Sequence, residues 1–240
     1  MLVSKAQALA HRMKKKKPDN LKTHMSTPET VLIPPVPQAP HAGRSHQEAA
    51  SRAREAREAA LLVGPPEVRA LPGRTELLRS AERLALGLDC DEVLPGIIIS
   101  NGRTVRATAY MRELGVTHII NTASRDVWLP MEKLSNMAIK LFEFHVDDVT
   151  TANISLYFKS AADMMEEAEA VGGLVVINCV AGLSRSATLL AATLIMTRRW
   201  SLARSLATIR QARQVRPNLG FIIQLLELEE QLKAQGAVLS

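Results

Sequence analysis

The stretch INCVAGLSRSAT, Ile177 to Thr188, sets a cysteine at the end of an apolar run and an arginine six positions later, where a helical pattern begins. The five residues between them, Val180, Ala181, Gly182, Leu183 and Ser184, make a loop so short that its backbone N–H groups can converge on one point. Such a loop running into a helix N-terminus is an anion-binding nest. Arg185, at the helix start, can grip two oxygens of a tetrahedral dianion through its planar fork. The same positive field favours thiolate over thiol, so the pattern predicts that Cys179 is a low-pKa nucleophile.

Outward from this loop the chain alternates strands and helices. LVVIN, just before Cys179, is a continuous apolar run of the kind found in a buried parallel strand. GIIIS (Gly96 to Ser100), THIIN and KLFEFHV read as further strands. TVRATAYMRELG reads as one helix closed by Gly115. Asn153 to Ala170 reads as a helix that starts on a capping Asn, carries Leu156, Phe158, Ala161, Met164 and Met165 at helical spacing, and stops at Gly172-Gly173. Three more helices are predicted at Ser186 to Arg198, Ser201 to Arg213 and Asn218 to Lys233, with Pro217 separating the last two. The expected fold class is α/β, a central, mostly parallel sheet flanked by helices. In such sheets ligands lie beyond the carboxyl ends of strands, which is where Cys179 sits.

The chain has 240 residues, enough for one domain of about 150 residues and a tail. Composition places the boundary near residue 80. Residues 1–79 hold 14 Lys/Arg against 7 Asp/Glu, and residues 80–240 hold 16 against 17, so the net charge of +6 belongs to the tail. That tail joins a lysine run (Lys14 to Lys17), a Pro-rich stretch and an Ala/Arg/Glu-rich segment, none with core periodicity, and reads as mostly disordered. One solvated helix is expected within it, from Gln47 to Val63. Its acid-poor start fits a mitochondrial presequence, a nuclear localisation patch or a plain charged terminus. The domain itself, 80–240, has no charge excess, so no nucleic-acid partner is expected through it. No apolar run reaches the length of a membrane span. Two cysteines, Cys90 and Cys179, cannot build a disulfide framework, and no secretory leader opens the chain; an intracellular setting, cytoplasm or nucleus, is the expectation.

CVAGLSRSA resembles the signature of the cysteine-dependent protein tyrosine phosphatases, and the wider chain resembles the atypical dual-specificity phosphatases. DEVLPGIIISN is similar to that family's first strand, ELGVTHIINTAS to its second strand and following loop, HVDD and NISLYFKSAADMMEEA to its general-acid loop and helix, and RPNLGFIIQLLELEEQL to its closing helix. The resemblance covers about residues 85 to 235. It implies that Cys179 attacks phosphorus, that Val180, Ala181, Gly182, Leu183, Ser184 and Arg185 bind phosphate oxygens through backbone N–H groups, and that the Arg185 side chain adds two more contacts. It further implies that Asp148, five residues before Asn153, is the general acid, with Asp147 as its rival, and that Ser186 assists the departing thiolate. A phosphocysteine intermediate follows. No cofactor and no metal are implied, and the sequence offers no Cys/His cluster for one.

One position departs from the family. The residue before the nucleophile, almost always histidine there, is Asn178 here. Asparagine imitates one donor edge of an imidazole but carries no positive charge, so attenuated turnover is expected. The alternative is a pseudophosphatase that captures phosphorylated partners without turning them over. The loop is neutral and mostly apolar where similar phosphatases that act on phosphoinositides tend to place lysines, and the extended recognition loop of the larger phosphatases has no counterpart, so the resemblance implies a shallow pocket open to phosphotyrosine and phosphoserine/threonine. Phosphorylated proteins, kinases among them, are the expected partners. In similar phosphatases basic residues hereabouts contact a second phosphate or an acidic substrate stretch, so the resemblance makes Arg213, with Arg216, a candidate for that contact; the plain alternative is a solvated pair near a helix end. Duller roles are expected elsewhere: His118 and His145 in packing, Met164 and Met165 on an apolar helix face, and Cys90 as a small residue at the domain entry, with a redox bridge to Cys179 as its sharper alternative.

Overall fold

A computed structural model describes residues 80–240, together with Glu76 and Leu78. The rest of the N-terminal tail, including the helix expected from Gln47 to Val63, lies outside the described residues. In chain order the elements are α1 (Ala81–Ala85), β1 (Cys90–Leu94), β2 (Ile97–Ser100), α2 (Gly102–Arg106), α3 (Thr108–Leu114), β3 (His118–Asn121), α4 (Met131–Ser135) and β4 (Lys140–Glu143). A 3-10 turn (Ser155–Tyr157), α5 (Phe158–Ala170), β5 (Val175–Asn178), α6 (Arg185–Arg198), α7 (Leu202–Ala212) and α8 (Leu219–Ala234) complete the chain.

The sheet has five strands in the order β1-β2-β5-β3-β4. β5 is the central strand, parallel to β2 and β3, and all four of its residues are buried. That is why LVVI, up to Asn178, is continuously apolar, without the alternation of a half-solvated strand. Alternation reappears as a choice between two cores. Val175 and Ile177, with Ile99 and Ile120, join a cluster built with α5, α6, α7 and α8. Leu174 and Val176, with Ile98 and Ile119, join a cluster with Val105, Met111, Leu114 and Leu134 from α2, α3 and α4. Helices therefore cover both faces of the sheet. α6 is buried from Arg185 to Ile195 and occupies the middle of the larger layer.

The structure refines three elements. DEVLPGIIISN is a hairpin, β1 pairing antiparallel with β2, and Gly96 makes the turn at φ +83 with its N–H donating to Glu92 Oε1. The helix expected from Thr104 to Gly115 breaks at Ala107 into α2 and α3. In one helix Val105 and Met111 would stand about 600° apart, that is about 240° around the axis, on different faces. The break lets both enter the same core, each fully buried. Asn153 caps through a local turn instead, its Oδ1 accepting from Ser155 N and Oγ, and the α-helix starts later, at Phe158. Among the described residues no helix is long and apolar enough to cross a membrane.

Candidate active site

The segment from Cys179 to Ser184 links the carboxyl end of β5 to α6 at the centre of the sheet. Four successive carbonyls of this loop are bonded outward. Val180 O accepts from Gly102 N, Ala181 O and Gly182 O accept from the Arg213 guanidinium, and Leu183 O accepts from Arg216 N. A trans peptide points its N–H opposite to its C=O. The N–H groups of Ala181, Gly182, Leu183 and Ser184 are thereby turned inward, toward the cysteine. Gly182 is required: its φ is +70, and a Cβ there would lie 2.5 Å from Ser100 O.

Cys179 Sγ sits at the floor of this cradle, 2% exposed. The Gly182 N–H donates to it at 3.1 Å and the Ser186 hydroxyl at 3.5 Å. Burial alone would push the thiol up. Hydrogen bonds from the Ser186 side chain and from the Ser186 and Ser184 amides, with the nearby Arg185 charge, outweigh it and hold the thiol below its ordinary value.

Arg185 opens α6, its side chain 6% exposed. Its Nη1 donates to Val146 O (3.0 Å) and to Asp126 Oδ2 (3.2 Å) on the loop after β3. Its Nε, buried, has no hydrogen-bond partner among the described residues and stands 3.9 Å from Asp148 Oδ2. A guanidinium anchored at one nitrogen with a buried donor unengaged is shaped for an oxyanion. Asp148 Oδ1 accepts from Ser184 Oγ at 2.7 Å and from Asn218 Nδ2 at 2.8 Å, which fixes the carboxylate at the mouth of the cradle. Asp147 points elsewhere, to His145 Nε2, and is 71% exposed. The structure thus brings Cys179, Arg185, Ser186 and Asp148 together and leaves Asp147 outside.

Asn178, the residue that departs from the expected histidine, is fully buried. Its Nδ2 donates to Asn121 Oδ1 on neighbouring β3 at 2.9 Å, while its own Oδ1 has no hydrogen-bond partner among the described residues. Its backbone carbonyl accepts from both Thr122 N and Thr122 Oγ1. Strand pairing and one side-chain bond therefore locate the residue, but it offers no charge to the sulfur.

Arg213 corrects an expectation. It is no surface contact for substrate, since its side chain is 4% exposed and its guanidinium has five donors that are all engaged. Nε donates to Gly182 O, Nη1 to Asp89 Oδ1 and Asp91 Oδ2, and Nη2 to Asp89 Oδ2 and Ala181 O. Arg216 is exposed and meets the loop through its backbone N–H. Cys90 is registered with Ser100, and Ser100 with Asn178, so Cys90 lies two strand spacings, about 9.6 Å, from the Asn178 row. A disulfide needs Cα atoms closer than about 7 Å, so the bridge to Cys179 is not available in this fold. Cys90 instead lies between Arg83 Nη1 and Tyr110 OH, its thiol pushed up by burial. His118 is buried at the opposite end of the sheet against Thr117 Oγ1.

Asp89, Asp91, Asp126 and Asn218 are site residues that the sequence did not mark for this work. Asn218 was legible as the cap of α8, which its Oδ1 performs by accepting from Phe221 N. Nothing in the local sequence distinguishes the three aspartates, because their partners lie 59 to 124 residues away.

A family model described as the dual specificity phosphatase catalytic domain matches residues 97–231, more than half of the chain. The chain belongs to that family. Dual specificity protein phosphatase 26 of Mus musculus is 32% identical over 145 residues, covering 60% of this chain and 68% of the relative, and the Homo sapiens protein matches to the same extent. Among solved structures, a mouse putative dual specificity phosphatase complexed with zinc tungstate has a TM-score of 0.55 at 28% identity, covering 62% of this chain and 91% of that one. Human DUSP28 has a TM-score of 0.54 at 26% identity, covering 60% and 95%. The chain is thus an atypical dual-specificity phosphatase of the protein tyrosine phosphatase superfamily, a hydrolase acting on phosphorylated protein.

Proposed function

We propose that this phosphatase hydrolyses phosphotyrosine and phosphoserine/threonine in proteins by double displacement through a cysteinyl phosphate, at a rate held down by Asn178. The observation that carries the reading is the ring of outward-bonded carbonyls around the Cys179 sulfur, which aims the loop amides inward. A phosphate dianion in that ring meets the N–H groups from Val180 to Arg185 and the unengaged Nε of Arg185. The thiolate of Cys179 attacks phosphorus, the bond from phosphorus to the leaving oxygen breaks, and Asp148 gives that oxygen its proton. In the second step Asp148, now a carboxylate, takes a proton from water as the water oxygen attacks phosphorus. The S–P bond breaks, inorganic phosphate leaves, and the Ser186 hydroxyl, 3.5 Å from Sγ, donates to the returning thiolate. General acid–base transfer of this kind is worth about 10²–10⁴-fold in rate.

Asn178 supplies position without charge. A lost pKa unit corresponds to about 1.4 kcal/mol between thiol and thiolate. The amides, the α6 N-terminus and Arg185 all remain, so the sulfur keeps most of its bias toward the anion. Loop chemistry supports protein substrates: the residues between Cys179 and Arg185 carry no lysine for additional phosphates. Steady-state release of phosphate from phosphotyrosine and phosphothreonine peptides by the full chain tests the reading. Multiple turnovers that vanish in Cys179→Ser are expected. Stoichiometric binding with release equal to that of Cys179→Ser would overturn it and assign the chain to capture of phosphorylated partners.

A further inference from the structure

Arg213 and Asp89 act on the loop from the side away from substrate. The peptide unit joining Ala181 to Gly182 has its carbonyl held by Arg213 Nη2 at 3.0 Å and its N–H donating to Cys179 Sγ at 3.1 Å. The next unit, Gly182 to Leu183, has its carbonyl held by Arg213 Nε at 2.7 Å. Because each amide is rigid and trans, gripping the oxygen fixes the direction of the N–H. Gly182, at φ +70, is the residue where this backbone would otherwise turn most freely. A guanidinium on the carbonyl also polarises the amide and strengthens the N–H as a donor to an anion.

A buried guanidinium is costly to keep unless its donors and charge are all answered. Asp89 takes two of the five bonds (2.7 and 2.6 Å) and Asp91 one (2.7 Å). Asp89 precedes β1 and Asp91 lies within it, so the first strand of the domain braces the loop through Arg213. The hydrogen bond from Arg213 holds the Asp89 carboxyl below its ordinary value against the opposing effect of burial.

We infer that Arg213, braced by Asp89 and Asp91, is a positioning residue that sets the ionisation of Cys179 by locking the orientation of the 181–182 and 182–183 peptide units. The inference deepens, and rests on, the reading of Cys179 as the nucleophile. It assigns to a residue that touches no substrate a share of the low thiol pKa.

The test is the pH dependence of iodoacetamide alkylation at Cys179 in the full chain, followed by mass spectrometry so that Cys90 is scored separately. Wild type, Arg213→Lys and Asp89→Asn are compared, with thermal melts and tungstate binding on each. Lysine keeps the positive charge but cannot hold two carbonyls and two carboxylates at once, so it isolates orientation from long-range field. The midpoint is expected to rise by about one unit in Arg213→Lys, a roughly tenfold loss of thiolate at pH below both midpoints, with weakened tungstate affinity. Asp89→Asn, the milder change, is expected to shift it in the same direction by less. A folded Arg213→Lys, or a folded Asp89→Asn if the lysine variant does not fold, with the wild-type midpoint would overturn the inference and leave the nucleophile reading untouched. A wild-type midpoint at the ordinary value near 8.5 would overturn both.

Discussion

Replacing Gly220 with alanine should separate proton donation from phosphate binding. Gly220 lies in the first turn of α8, two residues after Asn218, whose side chain holds Asp148. A Cβ at this position would stand 1.9 Å from Thr150 O and 2.6 Å from Thr150 C, where ordinary contact begins near 3.4 Å. The obstacle is backbone and cannot rotate away. The segment that carries Asp148 must retreat by about 1.5 Å, and a misplacement of about 1 Å can cost on the order of a hundredfold in rate. Alanine favours helix over glycine by up to about 1 kcal/mol, which partly offsets the strain in stability without restoring the geometry. The assay compares kcat/KM for a phosphoserine peptide, whose leaving alkoxide needs the proton, with that for nitrophenyl phosphate, whose leaving group departs unprotonated. A loss of about a hundredfold is expected for the first, far less for the second, with tungstate affinity unchanged. Equal rates for variant and wild type on both substrates, in a folded protein, would refute the role given to Asp148. Equal losses on both, with weaker tungstate binding, would instead mean that Gly220 supports the phosphate loop.

Other expectations follow from the same geometry. Asn178→His should lower the alkylation midpoint of Cys179 by about one unit and raise turnover, since an imidazolium adds the missing charge; a folded variant with the wild-type midpoint would contradict the attenuation argument. Asp126→Ala removes the carboxylate that holds Arg185 Nη1, and oxyanion affinity and kcat/KM should fall about tenfold, corresponding to about 1.4 kcal/mol; an unchanged tungstate Kd would show that Val146 O suffices. The folded-state pKa of Cys179 is depressed, so its thiolate contributes stability that is full above the ordinary thiol pKa and is lost as pH falls through the depressed value. Melting temperatures of wild type should accordingly gain on those of Cys179→Ser as pH rises through that window, and parallel curves would argue against a depressed thiol. Peroxide treatment of the folded chain should give no Cys90–Cys179 disulfide, which peptide mapping would detect.

What the sequence disclosed was local. The apolar run of β5, the Cys-x5-Arg spacing and the glycine within it depend on neighbours a few residues apart, and the cradle they form stands where they placed it. The choice between Asp147 and Asp148 needed a distant partner, Ser184, to show which carboxylate faces the loop. Arg213 was misjudged for the same reason. A basic residue near a helix end reads as solvated, and only the folded chain brings Asp89 and Asp91, more than a hundred positions earlier, against it. The single helix expected from Thr104 to Gly115 failed because tertiary packing of Val105 and Met111 on one core overrode continuity of the backbone pattern.

The central claim is that a sulfur held among inward-facing amides becomes covalently phosphorylated during turnover although no imidazole adjoins it. Acid quench of the full chain during hydrolysis of a phosphotyrosine peptide, with mass-spectrometric mapping, measures this directly. The account predicts phosphate on Cys179, accumulating further in Asp148→Ala supplied with an activated aryl phosphate. Phosphate released with no adduct at Cys179 in either protein, or release undiminished in Cys179→Ser, would contradict it.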